Sequence, residues 1–293
     1  MALVKPSHST SGDHPRQREK GKSNLDTAPA PVILSEAKNL EAKNLEAMRC
    51  VFLSPHLDDA ALSCGGSIYR LVQAGQAVQA ITIFAGDPPP GPLTPFAHSL
   101  HERWQAAPVD RRAEDGEALR RLGAQAIHWP YADAVYRRHP DSGDALYDSE
   151  ESIFGEVVEA DAQIIESIRD RLRRTDSSAR LVVPLAAGHH VDHQIVRSAA
   201  ESLGRNLIYY EDYPYAETPE KLRATLQSGA WESESIRLDG KAIRAKTAAI
   251  LAYRSQMSTF FRSAEEMERR VRAYANLVGG SAGPAERLWH NVI

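Results

Sequence analysis

The chain has 293 residues, 42% of them hydrophobic and 25% charged, with a formal net charge of −4. That length is enough for one well-filled core and allows one or two domains, of which one is favoured. Acidic and basic residues are interspersed, so there is no basic footprint for nucleic acid or an anionic membrane, and no run reaches the roughly 20 apolar residues that span a bilayer.

Residues 1 to about 30 are rich in Ser, His, Lys, Pro and Gly and nearly devoid of apolar pattern, a composition that cannot offset the entropy of ordering. Glu36 to Ala47 follows as a duplicated five-residue unit whose period matches neither a helix face nor a strand. Residues 1–47 are therefore expected to be a disordered or non-native extension, with Met48 as an alternative start, and 48–293 a single domain. The amino terminus lacks the apolar core of a secretory signal, which makes the cytoplasm the default location.

From Met48 onward strand-like and helix-like segments alternate. Strands are expected at Cys50 to Leu53, Ala77 to Phe84, Ala126 to Trp129, Leu181 to Pro184 and Asn206 to Tyr210. Helices are expected at Gly66 to Gln73, Val109 to Leu122, Ala160 to Arg173, His193 to Leu203, Pro219 to Leu226, Lys241 to Ala252 and Ala264 to Asn276. The alternation predicts an α/β, Rossmann-like three-layer fold with a mainly parallel sheet. No Gly-x-Gly-x-x-Gly follows the first strand, so the dinucleotide motif is missing. Two connections follow strands: the proline-rich Gly86 to Pro95, and Tyr131 to Ser152, rich in Asp, Tyr and Arg. Strand carboxyl ends of a parallel sheet share one edge, so both loops are expected to rim one cavity. Their plainer readings are a stiff connector and surface decoration. Cys50 reads as a small core residue and Cys64 as a neighbour of the cavity, and the two lack the paired spacing of a structural zinc site.

The chemistry concentrates at two strand ends. Just past the first strand, Leu53 to Ser63 reads LSPHLDDAALS, which puts His56, Asp58 and Asp59 in a strand-to-helix connection. A histidine nitrogen and a carboxylate oxygen three positions apart can close on one divalent cation, while an adjacent carboxylate that does not ligate is free to move protons. Past Leu181-Val182-Val183, the chain reads Pro184-Leu-Ala-Ala-Gly-His-His-Val-Asp-His193. Two His and Asp clusters at strand ends point to one shared site, and spacing alone leaves His189, His190 and His193 all open as the third ligand. Ser54 and Ser63 are not in a Gly-x-Ser-x-Gly elbow, and Gly65-Gly66 reads as tight helix packing rather than a phosphate cradle.

Pro55-His56-Leu57-Asp58-Asp59 together with His190-Val191-Asp192-His193 resembles the PIG-L (LmbE-like) family of zinc-dependent N-acetylglucosaminyl deacetylases, over about Met48 to the end. Arg111-x-x-Glu114 with Ala118 and Leu122-Gly123, the stretch Tyr210 to Tyr215, and Lys246 with Tyr253 to Gln256 fit in order and spacing. Leu57 stands where the family usually has proline, and Ala60 where many members have glutamate. The resemblance implies His56, Asp59 and His193 as ligands of Zn2+, with Fe2+ as another candidate ion, and Asp58 as the general base. His190 is then the candidate protonated donor to a developing oxyanion, and Asp192 is placed to hydrogen-bond an imidazole and keep it charged. The implied reaction is hydrolysis of an N-acyl amide, most often the acetamide of a glucosamine-type sugar in a glycoconjugate, and a homo-oligomer is left open. Arg111 is the candidate substrate contact, with an ion pair to Glu114 or Asp115 slightly favoured over it. The rival readings are hydrolysis of another amide or a phosphoester, for which a metal pair would need more carboxylates, and a non-catalytic metabolite-binding member of the fold.

Overall fold

The computed structural model describes residues 49–104 and 108–292, so the expectations for residues 1–47 and for Met48 lie outside the described residues. Seven strands, β1 Arg49–Ser54, β2 Ala77–Thr82, β3 Gln125–His128, β4 Arg180–Pro184, β5 Leu207–Tyr210, β6 Trp231–Arg237 and β7 Ala285–Asn291, form one sheet in the order β3-β2-β1-β4-β5-β7-β6. The five-strand block is parallel, while β7 runs antiparallel to β5 and β6 antiparallel to β7. The described helices are α1 Asp59–Gln73, α2 Pro95–Trp104, α3 Pro108–Leu122, α4 Glu150–Ile153, α5 Ala162–Leu172, α6 Val191–Glu201, α7 Pro219–Leu226, α8 Gly240–Ile250, α9 Arg254–Phe260 and α10 Ala264–Gly279.

Cys50-Val51-Phe52-Leu53 is apolar without alternation because β1 is central and covered on both faces. Cys50 and Phe52 pack with α1 and α3, through Ile68, Leu119 and Leu122. Val51 and Leu53 face the other way, onto Ile168 and Leu172 of α5 and Ile195 and Val196 of α6. Two cores on opposite faces make the three-layer arrangement that the alternation predicts. From β1 the chain steps outward to β2 and β3, then returns to place β4 on the other side of β1, with Val51 opposite Leu181 and Phe52 opposite Val182. Connections leaving β1 and β4 diverge from that point, and open α/β sheets bind ligands in the crevice so formed.

All five expected strands are present with boundaries shifted by one or two residues, and all seven expected helices exist. The largest displacement is α1, which starts at Asp59 rather than Gly66. Gly65-Gly66 marks a close approach inside the helix: a Cβ on Gly66 would stand 2.6 Å from Leu238 Cδ1. Strands β6 and β7 and helices α2, α4 and α9 were not anticipated. β6 (Trp231–Arg237) is mostly exposed, so Glu-Ser-Glu can occupy it without an apolar face to read.

Candidate metal centre and active site

The turn out of β1 is fixed from below by Ser54, whose hydroxyl donates to the His56 carbonyl at 2.7 Å and accepts from the Ala60 N–H at 3.0 Å. Asp58 holds the N-cap position of α1 yet makes no capping bond, so its carboxylate is not consumed by the helix end. The turn out of β4 bends through left-handed backbone at Ala186 (φ 60°) and His189 (φ 61°). Such a conformation costs a non-glycine residue about 1 kcal/mol or more and persists only where neighbours enforce it. Here Arg197 donates to the Leu185 carbonyl at 2.9 Å, the Ala187 N–H donates to Asp212 at 2.9 Å, and Gln194 donates to the His189 carbonyl at 2.8 Å.

The two turns bring the clusters together. Asp59 Oδ2 lies 3.3 Å from His56 Nδ1 and 3.3 Å from His193 Nε2. Two donor atoms held at about 2.1 Å by one tetrahedral ion stand about 3.4 Å apart, so both spacings fit a shared coordination sphere. The outer face of each ring is also built. His56 Nε2 meets Asp192 Oδ2 at 2.9 Å, and His193 Nδ1 meets Asp212 Oδ1 at 2.6 Å. A ring N–H given to a carboxylate fixes the tautomer, which turns His56 Nδ1 and His193 Nε2 toward Asp59 as lone-pair donors. Asp59 thus stands at ligand spacing from each ring, the pairwise condition for holding a divalent ion between them.

Among the described residues, two groupings of three side chains, neither with Asp59, bring one ligand atom each within 4.8 Å of one another, and both include His56. His190 has a nitrogen within 4.8 Å of nitrogens of His56 and His193, and Asp133 and Asp192 come as close around the other side of His56. The Asp192 side does not suit a second cation: Asp192 Oδ1 already accepts from Arg137 Nη1 at 2.6 Å, and Oδ2 from the Ala134 N–H at 3.0 Å. A guanidinium at that distance repels a metal ion.

Electrostatics separate the two adjacent carboxylates. Burial and the charge of Asp59 push the Asp58 carboxyl well above the usual range. Burial acts the same way on Asp59, but His193 and His56 outweigh it and hold that carboxyl far below the usual range. Burial opposes protonation of His193, yet Asp59 and Asp212 raise its pKa to about 9. His56 is likewise raised, with Asp192 and Asp59 overcoming burial. His190 goes the other way: burial and the charge of His56 lower its pKa well below the ordinary value. Its Nδ1 accepts the Asp192 N–H at 3.2 Å, which leaves Nε2 as the protonated nitrogen of a neutral ring. The imidazole that Asp192 grips is thus that of His56, not His190, correcting the sequence-based expectation of a charged His190.

Asp58, Arg111, Asp133, His190, Tyr215 and Gln256 help line a cavity of about 120 Å³ at this centre. A larger groove of about 860 Å³ runs between α6 and α7, but none of His56, Asp58, Asp59 and His193 borders it, so size does not locate the chemistry. Arg111 faces the cavity: its guanidinium lies 4.1 Å from the Trp104 ring centroid, and the Gln256 side-chain oxygen, turned toward it, accepts from Nε and Nη2 at 3.0 and 3.1 Å. The favoured pairing with Glu114 or Asp115 is not found. Glu114 accepts from the Ser255 hydroxyl at 2.6 Å and Asp115 from Tyr253 at 2.7 Å. The loop Tyr131 to Ser152 walls the cavity through Asp133, Val135 and Glu150. The proline-rich loop contributes no lining residue itself and instead leads into α2, whose Leu100, Arg103 and Trp104 do. His189 is exposed and meets Glu156 at 3.2 Å.

Asp212, Asp133 and Arg137 escaped the sequence reading as site residues. Asp212 carried a usable signal, an acidic residue just past a parallel strand, masked by the aromatic residues around it. Nothing local marks Arg137 or Asp133.

A model of the PIG-L family, described as GlcNAc-PI de-N-acetylase, matches residues 51–203. The 2'-N-acetylparomamine deacetylase of Niallia circulans is 28% identical over 267 residues, covering 84% of this chain and 92% of that protein. The crystal structure of a zinc inhibited form of teicoplanin deacetylase superposes with a TM-score of 0.71 at 28% identity, covering 84% of this chain and 98% of the other. That of the antimicrobial A40926 pseudoaglycone deacetylase gives 0.64 at 29% identity, covering 83% and 96%.

Proposed function

The chain belongs to the PIG-L family, and from that premise we propose that it is a metal-dependent hydrolase removing an N-acyl group, acetyl in the first instance, from a glucosamine-type sugar in a larger molecule. The observation that carries this reading is the pair of carboxylate-held histidines turned toward Asp59 beside a buried, uncommitted Asp58. His56, Asp59 and His193 would hold the ion, zinc or another divalent metal such as Fe2+, which when bound polarises a water and the amide carbonyl. Asp58 takes a proton from the attacking water and returns one to the leaving nitrogen, a task suited to a carboxyl whose pKa burial and the charge of Asp59 have raised well above the usual range. His190 donates its Nε2–H to the carbonyl oxygen as negative charge gathers there, and a neutral ring serves for this. Arg111 and Asp133 offer a cation and an anion to the sugar hydroxyls.

The relatives named for 2'-N-acetylparomamine and teicoplanin support an amino-sugar substrate. Pockets that enclose a whole drug-sized ligand measure roughly 300–1,000 Å³. A cavity of about 120 Å³ instead admits the acylated end of a substrate and leaves its remainder outside. The test is metal analysis of the purified protein with amine-release assays on N-acetylglucosaminides, comparing wild type and Asp58→Asn. The variant should keep its metal and lose about 10²- to 10⁴-fold in rate. Equal rates would remove Asp58 from the reaction, and phosphatase activity without amine release would replace the reading. Because one similar structure is a zinc inhibited form, the metal titration extends to excess zinc.

A further inference from the structure

A buried arginine stands behind the metal centre, in a connection that carries no motif. Arg137 follows a short 3-10 turn at Ala134–Tyr136 and is 5% exposed. Its Nη1 donates to Asp192 Oδ1 at 2.6 Å and to the Ala132 carbonyl at 3.2 Å, while Nη2 lies 3.0 Å from Asp161 Oδ2. The guanidinium is stacked between Phe84 and Tyr147, 5.1 and 5.3 Å from the ring centroids, and the Tyr147 hydroxyl donates to the same Asp161 oxygen at 2.8 Å. Burying a cation is costly, and its Nε has no hydrogen-bond partner among the described residues, so stability alone is a poor reason for it.

The contacts of Asp192 supply another. With Oδ1 held by Arg137 and Oδ2 by the Ala134 N–H, the carboxylate cannot rotate, and its bond to His56 Nε2 inherits that fixed direction. We propose that Arg137 is a positioning residue for the metal centre: through Asp192 it locks the ring of His56 with Nδ1 facing Asp59. Asp161 and Tyr147 hold the guanidinium from behind. The connection between β3 and α4 is thereby more than a cavity wall, since through Asp192, which follows β4, it sets the geometry of the ligand that follows β1. This inference rests on the reading of His56, Asp59 and His193 as metal ligands.

Zinc affinity of the full chain, measured by chelator competition, tests it through Arg137→Met, Asp192→Asn and the double variant. Loss of such an outer partner weakens metal binding about 10- to 100-fold. Each single variant should show that loss, and the double variant should bind no more weakly than the weaker single, because both changes sever one chain of contacts. The visible spectrum of the cobalt-loaded protein should shift in Arg137→Met, reporting altered geometry at the ion. If Arg137→Met does not fold, Arg137→Lys keeps the charge but cannot span both carboxylates, and the double variant leaves no unpaired buried carboxylate at position 192. Wild-type affinity and spectrum in Arg137→Met or Arg137→Lys, or single losses that multiply in the double variant, would overturn the inference. A wild-type protein that takes up no divalent ion overturns the metal reading itself, a distinct result.

Discussion

His190 and His193 sit three positions apart at one helix start, yet their surroundings give them opposite characters. His193 is 1% exposed and bracketed by Asp59 and Asp212, and His190 lies against Phe154 with its Nδ1 turned to backbone. His193→Ala should therefore abolish stoichiometric metal, read by atomic absorption. His190→Ala should retain metal and lose about 10²-fold or more in amine release. Metal loss in the second variant would move His190 into the ligand set. The pH dependence follows from the same contacts. In the metal-free protein the folded-state pKa of His193, about 9, exceeds its unfolded value of about 6.5, so its stabilising effect is complete below pH 6.5 and disappears as pH rises through 9. His56, also raised, adds in the same direction. Thermal midpoints of the metal-free protein should fall between pH 6.5 and 9, and metal uptake near pH 7 should release protons, visible as buffer-dependent binding heats. A flat midpoint and no proton release would contradict this protonation pattern.

At the scale of elements, small residues decide where the connections run. A Cβ on Gly188 would lie 2.5 Å from Cγ of Tyr215, a ring atom too close to its own backbone to move aside, and Tyr215 lines the cavity. Gly188→Ala should cost about 1–3 kcal/mol in denaturant unfolding and lower activity. Gly116, inside α3 with nothing within 4 Å of an added Cβ, provides the contrast. Gly116→Ala should stabilise by up to about 1 kcal/mol. Equal effects at the two positions would refute the packing argument. The same glycine chemistry explains one misreading of the sequence: Gly65-Gly66 looks like a helix start, because a glycine pair seldom sits inside a helix unless another element presses on it. Leu238 and Lys246 do so, from segments about 170 to 180 residues away, and no local pattern carries that information. Helix α2 was hidden for a related reason, since it follows four prolines and reads as the tail of a loop.

For the whole molecule, the arrangement of the sheet converts two distant motifs into one site. β1 and β4 are neighbours although about 130 residues separate them, and the reversal of strand order between them opens the crevice where His56 and His193 meet. What the amino-acid sequence determined alone was the alternation of strands and helices, the two His and Asp clusters, and their resemblance to the PIG-L family. These are carried by periodicity and by residue types within about ten positions of each other. Only the tertiary structure decided that Asp192 meets His56, that Asp212 meets His193, and that Arg137 reaches Asp192. Each depends on which charged group lies nearest to which across separations of 19 to 136 residues, and hydrogen bonds of about 3 Å are set by packing rather than by spacing in the chain.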